Sequence, residues 1–278
     1  IRDLYDALEM GVNTWIQAQG EAMSPEGDTE VAKGKLARLR SVLDRLPTQA
    51  RRTVEQVEFQ QFSTPPPMAF LAAWVANIRR GESGLEPSAG TGDIAVFGRL
   101  GGADMLVNEI APRRGDILHT HGFKVSRENA EQLNNILPDD VKPTVILMNP
   151  PFSSAGGRIE GQRTIENGLQ HLDQAWARLE IGGRMVAIMG ENFGIPAASR
   201  RWLAKVRESG EVRALVQIAG KEYQKYGTTY GIAMLVLDKT DAPHRGQTVD
   251  GVFASTDEAL KALEGVRNER AQPQAVAG

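Results

Sequence analysis

Residues Thr144 to Phe152, TVILMNPPF, constrain this chain more than any other stretch. The first five are an unbroken run of the length expected for a strand buried on both faces of a parallel sheet. The run stops abruptly at Asn149-Pro150-Pro151-Phe152. Consecutive prolines offer no N–H and hold φ at about −65°. The carbonyls and the Asn149 carboxamide are therefore presented from a rigid turn, beside an aromatic face. That is a shape for gripping a planar amine. In open α/β sheets ligands bind beyond the carboxyl ends of the strands, where this tetrapeptide falls. Alone, an Asn-Pro-Pro turn that closes a core strand needs no function. A second signal upstream, with the right spacing and order, argues for one.

That signal is Leu85-Glu86-Pro87-Ser88-Ala89-Gly90-Thr91-Gly92-Asp93-Ile94-Ala95, which reads as a short strand, a glycine-rich turn and a helix opening at Gly92. Gly90-x-Gly92-x-x-Ala95 satisfies the loose dinucleotide fingerprint, and Glu109, at the end of the run Met105-Leu106-Val107, suits a ribose hydroxyl pair. A turn feeding a helix N-terminus suits a pyrophosphate. The close backbone approach that glycine allows suits the methionine and ribose parts of S-adenosylmethionine equally well. Both cofactor classes need the acid, and a simple tight turn needs neither. The Asn-Pro-Pro segment two strands later favours the methyl donor.

Composition narrows the classes further. With 278 residues, 41% of them hydrophobic and 24% charged, the chain can bury a sizeable core as an ordinary soluble protein of one large domain plus additions. A net charge of −3 provides no global basic field for nucleic acid. The absence of cysteine excludes disulfides, thiol nucleophiles and cysteine-ligated zinc, and fits a reducing cytoplasm. His119 and His121 have no partner at metal-ligand spacing, and His171 and His244 are isolated, so all four read as ordinary histidines and no metal is expected. The longest apolar stretch, Met68 to Ala76, is far short of the roughly 20 residues that span a bilayer. No signal peptide is visible. Because the chain starts at Ile1 and ends in a soft Ala/Gln/Pro/Gly tail, it reads as a piece of something longer.

Three regions are expected: N-terminal helices over 1–55, an α/β domain over 56–240, and an extension over 241–278 that is disordered from Gln272. A helical stripe through Ile1, Leu4, Leu8, Val12 and Trp15 predicts the first buried face, and Val31 to Leu46 resumes helical spacing. Lys33, Lys35, Arg38, Arg40, Arg45, Arg51 and Arg52 make a local basic excess, read as a solvated face rather than a phosphate-contacting one for want of interleaved aromatics. Ser63 or Thr64 is placed to cap a helix whose stripe is Leu71, Trp74, Val75 and Ile78. Glu128 to Leu137 reads as one helix with Leu133, Ile136 and Leu137 inward. Ser153 to Gly168 reads as a polar loop: either a lid whose Arg158 and Arg163 meet phosphates, or a plain connection. Tyr223 to Tyr230 forms a polar aromatic turn before the last strand of the sheet, and Val249 to Phe253 a short edge strand.

With these pieces placed, the chain resembles the adenine-N6 DNA methyltransferases in which the donor-binding segments precede the Asn-Pro-Pro segment. The resemblance runs over roughly Phe59 to Lys239, and it is carried by PSAGTG paired with NPPF. A weaker likeness is to the methylase portions fused to helicases on phages and plasmids. The resemblance implies a Rossmann-like methyltransferase sheet closed by an antiparallel pair, with S-adenosylmethionine as cofactor. Phe62 and Thr64 would belong to the first donor-binding element. Glu86, Ser88, Gly90 and Gly92 would line the methionine side, Glu109 would hold the ribose, and Asn129 stands where the family has an aspartate at the donor's adenine. Asn149 and Pro150 would accept from the target amine, with Pro151 holding the turn. Phe152 and Tyr226 would stack on a flipped base, and Arg158 and Arg163 would meet DNA phosphates. The same turn serves other amino and amide groups, in RNA or in protein glutamine, and a non-catalytic donor-binding module that tethers DNA is a further alternative. Sequence recognition is expected from additional domains or a partner.

Overall fold

The computed structural model describes residues 2–46, 63–151, 160–220 and 231–270. Its helices are α1 (Arg2–Gln19), α2 (Thr29–Leu43), α3 (Pro66–Ala76), α4 (Ala95–Leu100), α5 (Pro112–Thr120), α6 (Leu133–Ile136), α7 (Glu160–Arg178), α8 (Ala197–Val206) and α9 (Thr256–Asn268). Its strands are β1 (Ser83–Glu86), β2 (Asp104–Asn108), β3 (Lys124–Ser126), β4 (Val145–Met148), β5 (Arg184–Gly190), β6 (Gly210–Ile218), β7 (Ile232–Lys239) and β8 (Val249–Phe253). They form one sheet in the order β3-β2-β1-β4-β5-β7-β6-β8. The pairs from β3 through β5 are parallel, and β7 runs antiparallel to both β5 and β6.

The sheet is covered on both faces, which explains the unbroken apolar run. Val145 and Leu147 of β4 enter one core with α3, α4, α5 and α9, while Ile146 and Met148 enter the other with α7 and α8. A strand buried on both sides has no polar face to alternate. In β6 the register shifts between Val212 and Ala214. These residues, two apart in sequence, consequently enter opposite cores, as expected when a bulge inserts one residue and reverses the alternation.

Several expected elements differ. No side chain caps α3, whose N-cap is Pro65, because the Thr64 hydroxyl is engaged elsewhere. All eleven residues of α3 are buried rather than a stripe, since the helix is enclosed by the sheet, α2 and α9. The helix after the glycine turn opens at Ala95, not Gly92. The segment expected as one helix over 128–137 is a short 3-10 turn (Ala130–Gln132) followed by α6, and Ile136 is exposed. Residues 160–164, expected in a loop, belong to α7.

The basic residues of α2 act locally. Lys35 donates to the carbonyls of Ser24 and Glu26 (2.8 and 3.1 Å), Arg40 pairs with Asp257 of α9 (2.6 Å), and Arg38 stacks over Trp15 of α1 (5.6 Å). Arg51 and Arg52 lie outside the described residues. After residue 240, β8 joins the sheet beside β6, and α9, capped by Ser255, packs on α3. The soft tail from Gln272 lies outside the described residues. Among the described residues no helix is long and apolar enough to cross a membrane.

The largest departure is in α1. Its buried residues are Asp6, Glu9, Asn13 and Ile16, while Leu4 is 69% exposed and Leu8, Val12 and Trp15 are only partly covered. The face turned inward is thus mostly polar. What it meets is the glycine turn.

Candidate active site

Strand β1 lies between β2 and β4, so the carboxyl ends of these three bring Glu109, Glu86 and Asn149 side by side. The strand order reverses between β1 and β4, the position at which open α/β sheets leave a crevice. Between these ends runs the turn Pro87 to Gly92. Gly90 (φ +56°) and Gly92 (φ +93°) occupy the left-handed region, where a side chain is strained. Glu109 clamps the turn: its two oxygens accept from the amides of Gly90 and Ala111, each at 2.8 Å. Asn108 joins three segments, donating to the carbonyls of Pro87 (3.0 Å) and Glu128 (2.9 Å) and accepting from the Glu128 amide (2.9 Å).

The polar face of α1 docks on this turn. Asn13 donates to Asp93 Oδ1 (2.9 Å) and to the Thr91 carbonyl (3.2 Å). The Thr91 hydroxyl donates to Glu9 Oε2 (3.0 Å), and the Ser63 hydroxyl donates to Glu9 Oε1. Asp93 Oδ2 accepts from the Thr64 amide (3.2 Å). Asp6 sits between Arg114 (3.4 Å) and Arg113 (3.8 Å) of α5. The Asn149 amide nitrogen donates to Thr64 Oγ1 (2.8 Å). The segment before α3, the glycine turn and the Asn-Pro-Pro turn are therefore one connected structure.

Buried acids give the site its electrostatics. Burial first, then the neighbouring Glu9, raises the Asp93 carboxyl from 3.8 to about 7. Burial also raises Glu9, against the hydrogen bond from Ser63 and the charge of Arg114. Glu86 is pushed well above the usual carboxylate range by burial and by Asp93, although it accepts from the Ala95 amide; its Oε2 has no partner among the described residues. A raised carboxyl pKa means that the folded state holds a proton which the unfolded chain has released. Asp93 therefore contributes stability that is fully present below about pH 4 and lost as pH rises to about 7. Thermal unfolding should show the melting temperature falling across this window, and Glu9→Gln, which removes the adjacent like charge, should flatten the slope. An unchanged slope in Glu9→Gln would separate the two groups.

The opposite wall is α7. A Cβ on Gly168 would lie 3.5 Å from the Pro151 carbonyl, so the helix passes directly beside the Asn-Pro-Pro turn. One turn on, His171 is buried, with Nδ1 3.4 Å from Ser88 Oγ, and burial lowers its pKa. Asn129, expected at the donor's adenine, is exposed and accepts from the Glu131 amide (3.0 Å), starting the 3-10 turn. Arg163 falls on α7, with its side chain outside the described residues. Phe62, Phe152, Arg158 and Tyr226 lie outside the described residues.

Of the expected site, then, Thr64, Glu86, Ser88, Gly90, Gly92, Glu109, Asn149, Pro150 and Pro151 converge. Sequence reasoning missed Asp6, Glu9, Asn13, Asp93, Asn108 and His171. The spacing of Asp6, Glu9 and Asn13 on one helical face was legible, but a polar stripe on a surface helix ordinarily faces water. Among the described residues no cluster of acids and histidines could hold a metal ion.

No protein-family model matches the chain, and no curated protein does. Solved structures do. A protein assigned to the class I S-adenosylmethionine-dependent methyltransferases from Listeria monocytogenes has 14% identity and a TM-score of 0.59, over 86% of this chain and 80% of that one. The M protein of the type I restriction enzyme EcoKI has 13% identity and a TM-score of 0.57, over 77% of this chain and 56% of that one. A protein assigned as the modification subunit of a type I restriction enzyme from Vibrio vulnificus YJ016 has 16% identity and a TM-score of 0.53, over 81% and 53%. The fold is the Rossmann-like fold of the class I S-adenosylmethionine-dependent methyltransferases. This chain spans about half the length of the two restriction-enzyme subunits, and at these identities the likeness is one of fold.

Proposed function

We propose that the chain transfers a methyl group from S-adenosylmethionine to the N6 amine of adenine in DNA. The observation that carries this is Asn149-Pro150-Pro151 at the end of β4, beside the glycine turn and hydrogen-bonded to the segment before α3. The residues fit the donor. Glu86 has a buried oxygen without a partner among the described residues, available to a donor ammonium, and at Gly90 an added Cβ would meet only Arg114, at 3.9 Å, which leaves that part of the turn open to close approach. In this reading Glu86, Ser88, Gly90 and Gly92 hold the methionine side, Glu109 the ribose, and Asn129 the adenine edge. When bound, the donor supplies an electrophilic methyl group.

The chain's own task is to prepare a poor nucleophile. Adenine's exocyclic nitrogen delocalises its lone pair into the ring. Acceptors at its two hydrogens, the Asn149 carboxamide oxygen and the Pro150 carbonyl, favour a pyramidal nitrogen with a directed lone pair. The base must leave the duplex, which costs a few kcal/mol of stacking; Phe152 and Tyr226 would return part of this. Arg158 and Arg163 would position phosphates without reading sequence.

Partners follow by the same reasoning. The structural neighbours include modification subunits of type I restriction enzymes and a structure described in terms of complex assembly of a type I restriction-modification system. We take DNA as the substrate, with further domains or subunits supplying sequence recognition. Labelled donor offered with DNA, RNA and protein tests the assignment, with calorimetry against the donor and NAD alongside. Label on adenines of DNA is expected, at many sequence contexts and strongly reduced by salt. Label on RNA or protein glutamine alone would move the substrate class, and NAD binding without donor binding would remove the reading. Donor binding without transfer to any substrate would leave a tethering module.

A further inference from the structure

The Thr64 hydroxyl and the Asn149 carboxamide nitrogen are 2.8 Å apart, and Thr64 is buried. A carboxamide is planar, so fixing its nitrogen on one partner directs its oxygen away from that partner. Thr64 is itself held: its amide donates to Asp93 Oδ2 (3.2 Å), and Asp93 Oδ1 accepts from Asn13 of α1 (2.9 Å). The pieces thus form a chain from α1 through the donor-side turn to the amine-side turn.

We propose that Thr64 is a positioning residue for the transfer step: its hydroxyl anchors the Asn149 carboxamide beside the target amine, and Asp93, anchored by Asn13, fixes Thr64. This assigns Thr64 a role towards the acceptor, beyond the donor-binding role implied by the sequence around it, and it rests on the methyl-transfer reading above. It also gives α1 a part in the chemistry, because the helix reaches Asn149 through two intermediaries.

The test compares Thr64→Val, which keeps the shape and the backbone amide but removes the hydroxyl, with Thr64→Ser, which keeps the hydroxyl. At saturating donor, Thr64→Val is expected to lower the methylation turnover by about tenfold, the size of one lost hydrogen bond. Saturating donor separates this loss from any change in donor affinity, and Thr64→Ser should recover most of it. Turnover unchanged in Thr64→Val, or a loss confined to donor affinity, would overturn the proposal. A second readout does not need activity. The Asn149 side-chain amide resonances, identified by their loss in Asn149→Ser, should shift in Thr64→Val and stay near their native positions in Thr64→Ser. Resonances indifferent to both variants would overturn the positioning role, whereas a native protein that methylates no DNA would remove the proposed substrate and leave this spectral result to stand by itself.

Discussion

Asn149→Ala is expected to lower methyl transfer by about 10²–10³-fold or more, the scale of deleting a preorganised transition-state acceptor. Donor affinity should change little. The carboxamide stands at the end of β4 and donates to Thr64, so its assigned partner is the amine and not the sulfonium. The interaction strengthens as the amine becomes pyramidal, which is why turnover should carry the loss. Single-turnover rates at saturating donor, with the donor dissociation constant measured on the same variant, separate the possibilities. If transfer and donor affinity fell together by similar factors, Asn149 would be holding the crevice in shape rather than acting on the amine.

Arg184→Leu is expected to destabilise the fold by about 3–5 kcal/mol, the cost of leaving a buried charge uncompensated. Arg184 is fully buried and makes paired bonds to Asp238 at 2.6 and 2.7 Å. Its Nη1 donates to the carbonyls of Val75 and Val266, both at 2.9 Å. Arg267 donates to the carbonyl of Trp74, and Arg270 to those of Ala76 (3.1 Å) and Asn77 (2.9 Å) while pairing with Glu82 (2.8 and 2.6 Å). The carboxyl end of the wholly buried α3 therefore finishes on three guanidinium groups. The carbonyls of a helix's last turn have no partner within the helix and carry its negative dipole end, and a helix buried from end to end has no water to meet them. Denaturant unfolding of Arg184→Leu, and of Arg184→Leu with Asp238→Leu, checks this. The double variant should recover the part of the loss that comes from the orphan Asp238 charge, with the Val75 and Val266 carbonyls still unmet, and a single variant within about 1 kcal/mol of the native protein would show that the pair is not needed.

Much of the parallel sheet was legible in the chain. A strand buried on both faces must be apolar throughout, which marked β4, and the turn at its end had to be rigid because Pro150 and Pro151 make it so. The glycine turn showed itself through residues that alone tolerate positive φ, and Glu109 through its place at the end of an apolar run. The burial of α1 was not legible. Leu4, Leu8, Val12 and Trp15 outrank Asp6, Glu9 and Asn13 on any hydrophobic scale, yet the polar residues turn inward because their partners Thr91, Asp93 and Ser63 wait there. Arg267 and Arg270 likewise carry no local sign that they end α3.

The sequence by itself determined what is local or periodic: the strands, the turns at their ends, the order of the glycine turn and the Asn-Pro-Pro turn, and the acid at Glu109. Only the tertiary structure decided which polar groups would be buried and against what. Apolar burial needs only an apolar surrounding, so composition along the chain announces it. A buried polar group is tolerated only when a specific partner meets it, and the partners here lie 29 residues apart for Thr64 and Asp93, 80 for Asn13 and Asp93, and 85 for Thr64 and Asn149. No local pattern encodes such a meeting; it exists once the sheet has brought the ends of β1 and β4 together.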